Sequence, residues 1–248
     1  MADPVISKSK FLWGTQCSKL LWYAYNERGA FPAPEPELLE LFERGHGIGR
    51  IARTLFAGGI EIAPDTYDIH RVAEASRLAL SSRIPLFEAG FIHNDAYARA
   101  DILVPFGRTE WDIIEVKSCR GVRDVHLQDL AMQRYVYEGA GLEIRRCFVM
   151  HVAADVDTQQ EHDPQRLFVL ADVTARVKQL LAGVGGRLVM MHEVLREPHS
   201  PGTPMGRQCH EPYDCPLIRV CARATGPTAT PPGSSATYGW NWTVTPGS

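Results

Sequence analysis

The chain has 248 residues, 45% hydrophobic and 22% charged, with a formal net charge of −3. That is enough length for a full core in one large globular domain, and the acidic balance gives no global attraction to nucleic acid, so any such contact needs a local basic patch. No apolar leader follows the charged N-terminus, and no stretch approaches the ~20 apolar residues that span a bilayer, so a soluble, cytoplasmic protein without membrane contact is expected. This size and the missing leader also argue against a disulfide framework for the six cysteines.

Ser7 is predicted to cap a helix running to about Asn26, with Phe11, Leu12, Leu20, Leu21 and Trp22 near helical spacing and Cys17 along it. The proline-rich segment 31–36 reads as a linker. A second helix is expected from Glu37 to Phe56, where Gly45, Gly47 and Gly49 imply close packing or a break. A third is expected over His70–Ser82. Pro85–Ile92, Ala98–Val104 and Glu110–Val116 then read as three strands, with Pro105 ending the second before a loop at Gly107. Asp124 is predicted to cap a helix over Val125–Gly139. Strands over Arg146–Ala153 and Arg166–Ala171 follow, then a helix from Thr174 interrupted near Gly183, Gly185 and Gly186. This order predicts an α/β fold with a mixed central sheet. From Ala224 onward Asp, Glu, Lys and Arg are absent, which predicts a disordered tail (223–248) after a domain over 1–222. Tyr238, Trp240 and Trp242 in that tail read either as part of an unstructured extension or as a docking motif.

The chemistry centres on Asp101 and on Glu115-Val116-Lys117. Strand alternation puts Glu115 and Lys117 on one face and Val116 on the other. Two carboxylates beside an ammonium suit a magnesium-type ion and a phosphodiester, with Asp101, Glu115 and the Val116 carbonyl as oxygen ligands and Lys117 steering the attacking water. The alternative is a structural ion pair. Gln133 and Tyr137 lie four apart on the next helix, where an amide and a phenol can bond a phosphate or a water. Cys209, Cys215 and Cys221 recur every six residues and read as a ligand cluster, while Cys147 reads as core. Lys117, Arg120, Arg123, Arg134, Arg145 and Arg146, with Lys8, Lys10 and Lys19, are candidates for phosphate contacts or for plain surface charge.

The ordered series Asp101, Glu115-Val116-Lys117 and Gln133-Arg134-Tyr135-Val136-Tyr137 resembles the PD-(D/E)XK nucleases, in the RecB-like branch with its Gln-x-x-x-Tyr motif. Cys17 with the three C-terminal cysteines resembles the iron–sulfur members of that branch, such as the CRISPR-associated RecB-like exonucleases and the AddB nuclease domain. The opening 6–11 with Cys17 is similar to the start of such domains. The resemblance implies a restriction-endonuclease-like core, its mixed sheet flanked by helices, with an N-terminal helical region and a C-terminal cysteine cluster. It implies a Mg²⁺- or Mn²⁺-dependent DNA nuclease, an exonuclease, acting on single strands or duplex ends, in repair, recombination or CRISPR adaptation with protein partners. Asp101 and Glu115 would hold the metal, Lys117 would assist the water, and Gln133 and Tyr137 would hold DNA or the site. Cys17, Cys209, Cys215 and Cys221 would hold a [4Fe–4S] cluster, with zinc as the other candidate, and would clasp the ends of the domain. The sequence departs from the family where Gly45 is followed four residues later by Gly49 rather than histidine, which leaves His46 or Glu88 to complete the metal site. That departure motivates a second reading, a catalytically weak or inactive DNA-binding module. A zinc-stabilised interaction protein is the third.

Overall fold

The structure is a computed structural model and describes residues 3–156, 158, 161 and 163–224. The expected 223–248 tail, with Tyr238, Trp240 and Trp242, lies outside them beyond residue 224. In chain order the elements are β1 (Ile6–Ser7), α1 (Lys8–Gln16), α2 (Ser18–Asn26), α3 (Pro36–Arg53), β2 (Ile60–Glu61), α4 (Ile69–Ala79), β3 (Leu86–His93), β4 (Ala96–Phe106), β5 (Glu110–Arg120) and α5 (Asp124–Gly139). There follow β6 (Glu143–Val152), α6 (Pro164–Leu167), β7 (Phe168–Asp172), α7 (Thr174–Leu181), α8 (Val184–Arg196) and α9 (Ile218–Ala224). The described residues divide into two compact units, 3–8 with 44–185, and 9–43 with 186–224.

The first unit carries the sheet. Its described strands run in the order β2-β3-β4-β5-β6-β7, with β1 added beside β4. The pairs β1–β4, β2–β3 and β5–β6 are parallel; β3–β4, β4–β5 and β6–β7 are antiparallel. Strand β5 is central, and Trp111 to Val116 are all buried. A strand covered on both faces needs such a near-continuous run. On one face Ile114 and Val116 join Phe87, Ile102 and Met150 in a core closed by Ala52, Ile48, Leu55 and Phe56. Helix α5 packs against β3, β4, β5 and β6. Alternation therefore turns Glu115 and Lys117 away from the Val116 core, toward α5.

Several expectations are corrected. The first helix is two helices, because Cys17 is extended (φ −161°, ψ 124°) between α1 and α2. Ser7 lies in β1 directly before α1, and Ile6 of the same strand is fully buried beside β4. Strand β4 runs through Pro105, which pairs with Trp111. The β3 partner stops at Leu86 opposite Leu103, so the missing proline N–H breaks no ladder on that side. At α5 the N-cap is Arg123 rather than Asp124: the Arg123 N–H donates to His126 Nδ1 at 3.2 Å. The segment expected as a strand from Arg166 begins as α6 and becomes β7 only at Phe168. The interruption expected near Gly183 separates α7 from α8.

The second unit is helical. Phe11, Trp13, Leu20, Leu21 and Trp22 are buried there. Gln16 Nε2 donates to the carbonyls of Gln208 (2.8 Å) and Tyr213 (2.7 Å), and Trp22 Nε1 to that of Glu197 (2.9 Å). A Cβ at Gly14 would lie 2.7 Å from Met191 Cε, so α1 and α8 approach at a distance that glycine permits. The expected fold class is corrected in this unit, because no cysteine cluster that holds a metal closes the fold. Among the described residues no group of three or more His, Cys, Asp or Glu side chains is placed to hold a metal ion.

Candidate active site

The β4–β5 ladder stops at Ile102 opposite Ile114. Beyond that point the two strands part, and the Val116 N–H donates to Asp101 Oδ2 at 2.7 Å instead of to a strand carbonyl. The gap is filled by charge. Lys117 Nζ lies 2.6 Å from Glu115 Oε1 and 2.9 Å from Asp129 Oδ2. Lys8 Nζ lies 3.0 Å from both oxygens of Glu115 and 3.4 Å from Asp129 Oδ1. Gln133 Nε2 donates to Glu115 Oε2 (2.7 Å) and Asp129 Oδ1 (3.0 Å). Three donors thus bridge the same two carboxylates, closing a ring.

Burial drives the electrostatics. Glu115 is fully buried, and burial, with the charges of Asp101 and Asp129, pushes its carboxyl up to about 7 against the pull of Lys117 and Lys8. Burial also pushes Asp129 upward, but Lys117 and Lys8 outweigh it and hold that carboxyl below its usual range. Burial lowers both lysines, yet the carboxylates outweigh it and raise them, so both stay protonated. Asp101 is raised by burial and by Glu88, against Lys8, Lys117 and the Val116 N–H. The ring meets solvent through Lys8 and Lys117, whose side chains are 21% and 18% exposed.

Of the sequence-predicted residues, Asp101, Glu115, Lys117 and Gln133 lie around this ring. Tyr137 lies on the same helix but is fully buried and used by the sheet: its hydroxyl accepts the Ala100 N–H (2.9 Å) and donates to the Ala89 carbonyl, tying α5 to the paired residues of β3 and β4. Val116 points its side chain into the opposite core. Glu88 sits at a positive φ of 57°, where Glu88 and Asp101 are left out of the ladder between the pairs Phe87–Ile102 and Ala89–Ala100. There it bonds Arg53 and, at 2.7 Å, Arg99. His46 lies on α3. Asp129 escaped the sequence reading, and Lys8 was read there as a phosphate contact or plain surface charge, not as a neighbour of Glu115. Asp129 stands four residues before Gln133 and eight before Tyr137, so helical spacing alone could have found it. Lys8 is 107 positions from Glu115, and no local pattern links them.

The metal expectations are corrected here. The oxygens of Glu115 and Asp129 are taken by two ammonium ions and an amide, and one oxygen of Asp101 by a backbone N–H, so the carboxylates do not fit a Mg²⁺ or Mn²⁺ site. Cys17, Cys209, Cys215 and Cys221 border a cavity of about 20 Å³ together with Leu20, Met205 and Leu217. That is room for about one water molecule, not for a cluster. Burial, and then the neighbouring Cys17, Cys209 and Cys221 thiols, push the Cys215 thiol up to about 12, and burial raises Cys221. The [4Fe–4S] and zinc expectations therefore fall with the magnesium one.

Several of the basic residues are engaged inside the protein. Arg134 is buried against Glu138 (2.7 Å) and the Ile144 carbonyl (2.6 Å), and Arg145 is held by Asp112 over the Phe106 ring. Arg120 donates to the Val156 carbonyl (2.9 Å), and Lys10 sits 3.5 Å over Trp13.

Comparison with known proteins adds little. No protein-family model and no curated protein matches the chain. Among solved structures, an alkaline exonuclease from Laribacter hongkongensis is similar at 12% identity over 76% of this chain and 89% of that one, with a TM-score of 0.33. SSO0001 is similar at 12% identity over 90% and 88%, with a TM-score of 0.36. No helix among the described residues is long and apolar enough to cross a membrane. The resemblance to the iron–sulfur branch of the PD-(D/E)XK nucleases is corrected: the described residues hold no four-cysteine metal site.

Proposed function

We propose that the chain is a hydrolase of DNA phosphodiester bonds, acting as an exonuclease on single strands or duplex ends. The observation that carries this reading is Glu115, a buried carboxyl poised at about 7 between two ammonium ions. A base with that affinity for a proton is matched to taking one from water at neutral pH. Lys117 stabilises the charge that collects on the phosphoryl oxygens, and Asp129 holds it in place. Gln133 fixes the Glu115 carboxylate, Asp101 holds the backbone where β4 and β5 part, and Tyr137 fixes the strand pair beside it. The test is digestion of end-labelled single- and double-stranded DNA at neutral pH, with Mg²⁺, with Mn²⁺ and with EDTA. Glu115→Gln and Lys117→Met should each lower the rate by about a hundredfold or more. Wild-type digestion by both variants would sink the assignment.

One observation favours a second reading, a DNA-binding module without catalysis. Each charge of the ring already has an opposite partner inside the protein, as in a purely structural network. That reading predicts retained DNA that is never cut under any of the three conditions.

A further inference from the structure

We propose that Lys8 is a second cationic residue of this site, freed to face the phosphoryl group at the moment Glu115 takes up the proton of the attacking water. The inference rests on the hydrolase reading above. Its basis is how Lys8 is held. Ile6 is fully buried, pairs with Ala96, and donates its N–H to the Asp95 carbonyl at 2.8 Å. Burying that side chain anchors the attachment. Ser7 pairs with Tyr97, and the chain turns at once into α1. Lys8 is therefore fixed one residue past a strand that is itself locked to β4.

The two lysines differ in their hold. Lys117 has a hydrogen bond to each carboxylate, at 2.6 and 2.9 Å. Lys8 bonds only Glu115, through both oxygens at 3.0 Å, and stands 3.4 Å from Asp129. When Glu115 is protonated, Lys117 keeps its hydrogen bond to Asp129 at 2.9 Å, whereas Lys8 is left with only the longer 3.4 Å contact to Asp129. The step balances simply. The water oxygen forms a bond to phosphorus, its proton passes to Glu115, and the bond to the leaving oxygen breaks. That oxygen takes a proton from solvent, and Glu115 later returns its own. Negative charge rises on the phosphoryl group just as the nearest anion beside Lys8 is neutralised, so the ammonium charge is turned outward without any movement of the backbone. An interaction that strengthens only in the transition state raises kcat rather than lowering KM.

The experiment is steady-state digestion of end-labelled DNA by the full chain and by Lys8→Met, Lys8→Gln and Lys8→Arg, with thermal denaturation of each. Lys8→Met and Lys8→Gln should lower kcat by about a hundredfold with KM changed less than about threefold, and Lys8→Arg should restore much of the loss. A merely structural lysine would instead lower the folded fraction and kcat together. Should Lys8→Met fail to fold, Lys8→Gln and Lys8→Arg decide the matter. Wild-type kcat in the neutral variants, or a change confined to KM, overturns the role of Lys8 and leaves Glu115 and Lys117 standing. A wild-type chain that cuts no DNA overturns both.

Discussion

Each unit contains a buried group of ionisable side chains, and the two groups are treated in opposite ways. In the sheet unit Lys8, Lys117, Glu115 and Asp129 neutralise one another, and Asp129 stays ionised despite being buried. In the helical unit the thiols bordering the small cavity have Lys19 beside Cys221, yet burial prevails and both Cys215 and Cys221 are raised. Burial acts on both groups in the same sense, against charge. What differs is whether close counter-charges outweigh it, as they do at Asp129 though not at Glu115. The lesson is that a set of ligand-type residues becomes a working electrostatic site only where the fold also buries its partners.

The sharpest way to break this contrast is Asp129→Ala. It leaves two ammonium ions facing Glu115 alone, and should cost about 3 kcal/mol of stability in urea denaturation at pH 7. Asp129 is held below its usual 3.8, so its contribution is present above that pH and is lost as the pH falls through the lower, folded-state value. The gap between wild type and variant should therefore narrow on acidification below pH 3.8; a gap that widened there would contradict the ionic account. Tyr137→Phe probes a neutral bond in the same unit. It strands the buried Ala100 N–H, and a loss of about 1–3 kcal/mol is expected in the same assay. The smallest effect is expected in the cavity. Cys215→Ala removes a neutral group and leaves no charge behind, so about 1 kcal/mol should be lost in thermal denaturation. A loss as large as that of Asp129→Ala would show that this thiol carries an ionic or ligand role, and the contrast between the units would collapse.

The sheet was largely legible because its signals are local. Alternating apolar runs located β3, β4 and β5 to within a few residues, and the residues facing α5 follow from alternation once β5 is accepted. Strands β1 and β2 have two residues each, too few to show any period. Around the ring, Glu115, Lys117 and Gln133 declare themselves by residue type and spacing. Asp129 was hidden only by its resemblance to an ordinary surface aspartate on a helix. Lys8 was hidden by distance, since its place depends on a pairing of Ile6 with Ala96 that no short window contains. The cysteines mislead for the reverse reason: their spacing is suggestive, but spacing does not report the burial and room that decide what thiols can do.

The brevity of β1 gives the site an unusual point of vulnerability. One of the three groups that bridge Glu115 and Asp129, Lys8, directly follows a two-residue strand. Loss of β1 and Lys8 would take away one buried hydrophobic side chain, that of Ile6, together with a full positive charge from the ring. Strands β3 to β6, with Glu115, Lys117, Asp129 and Gln133, would remain in the chain. The charge balance of the ring thus depends on a two-residue pairing that is separate from the pairing of β3 to β6.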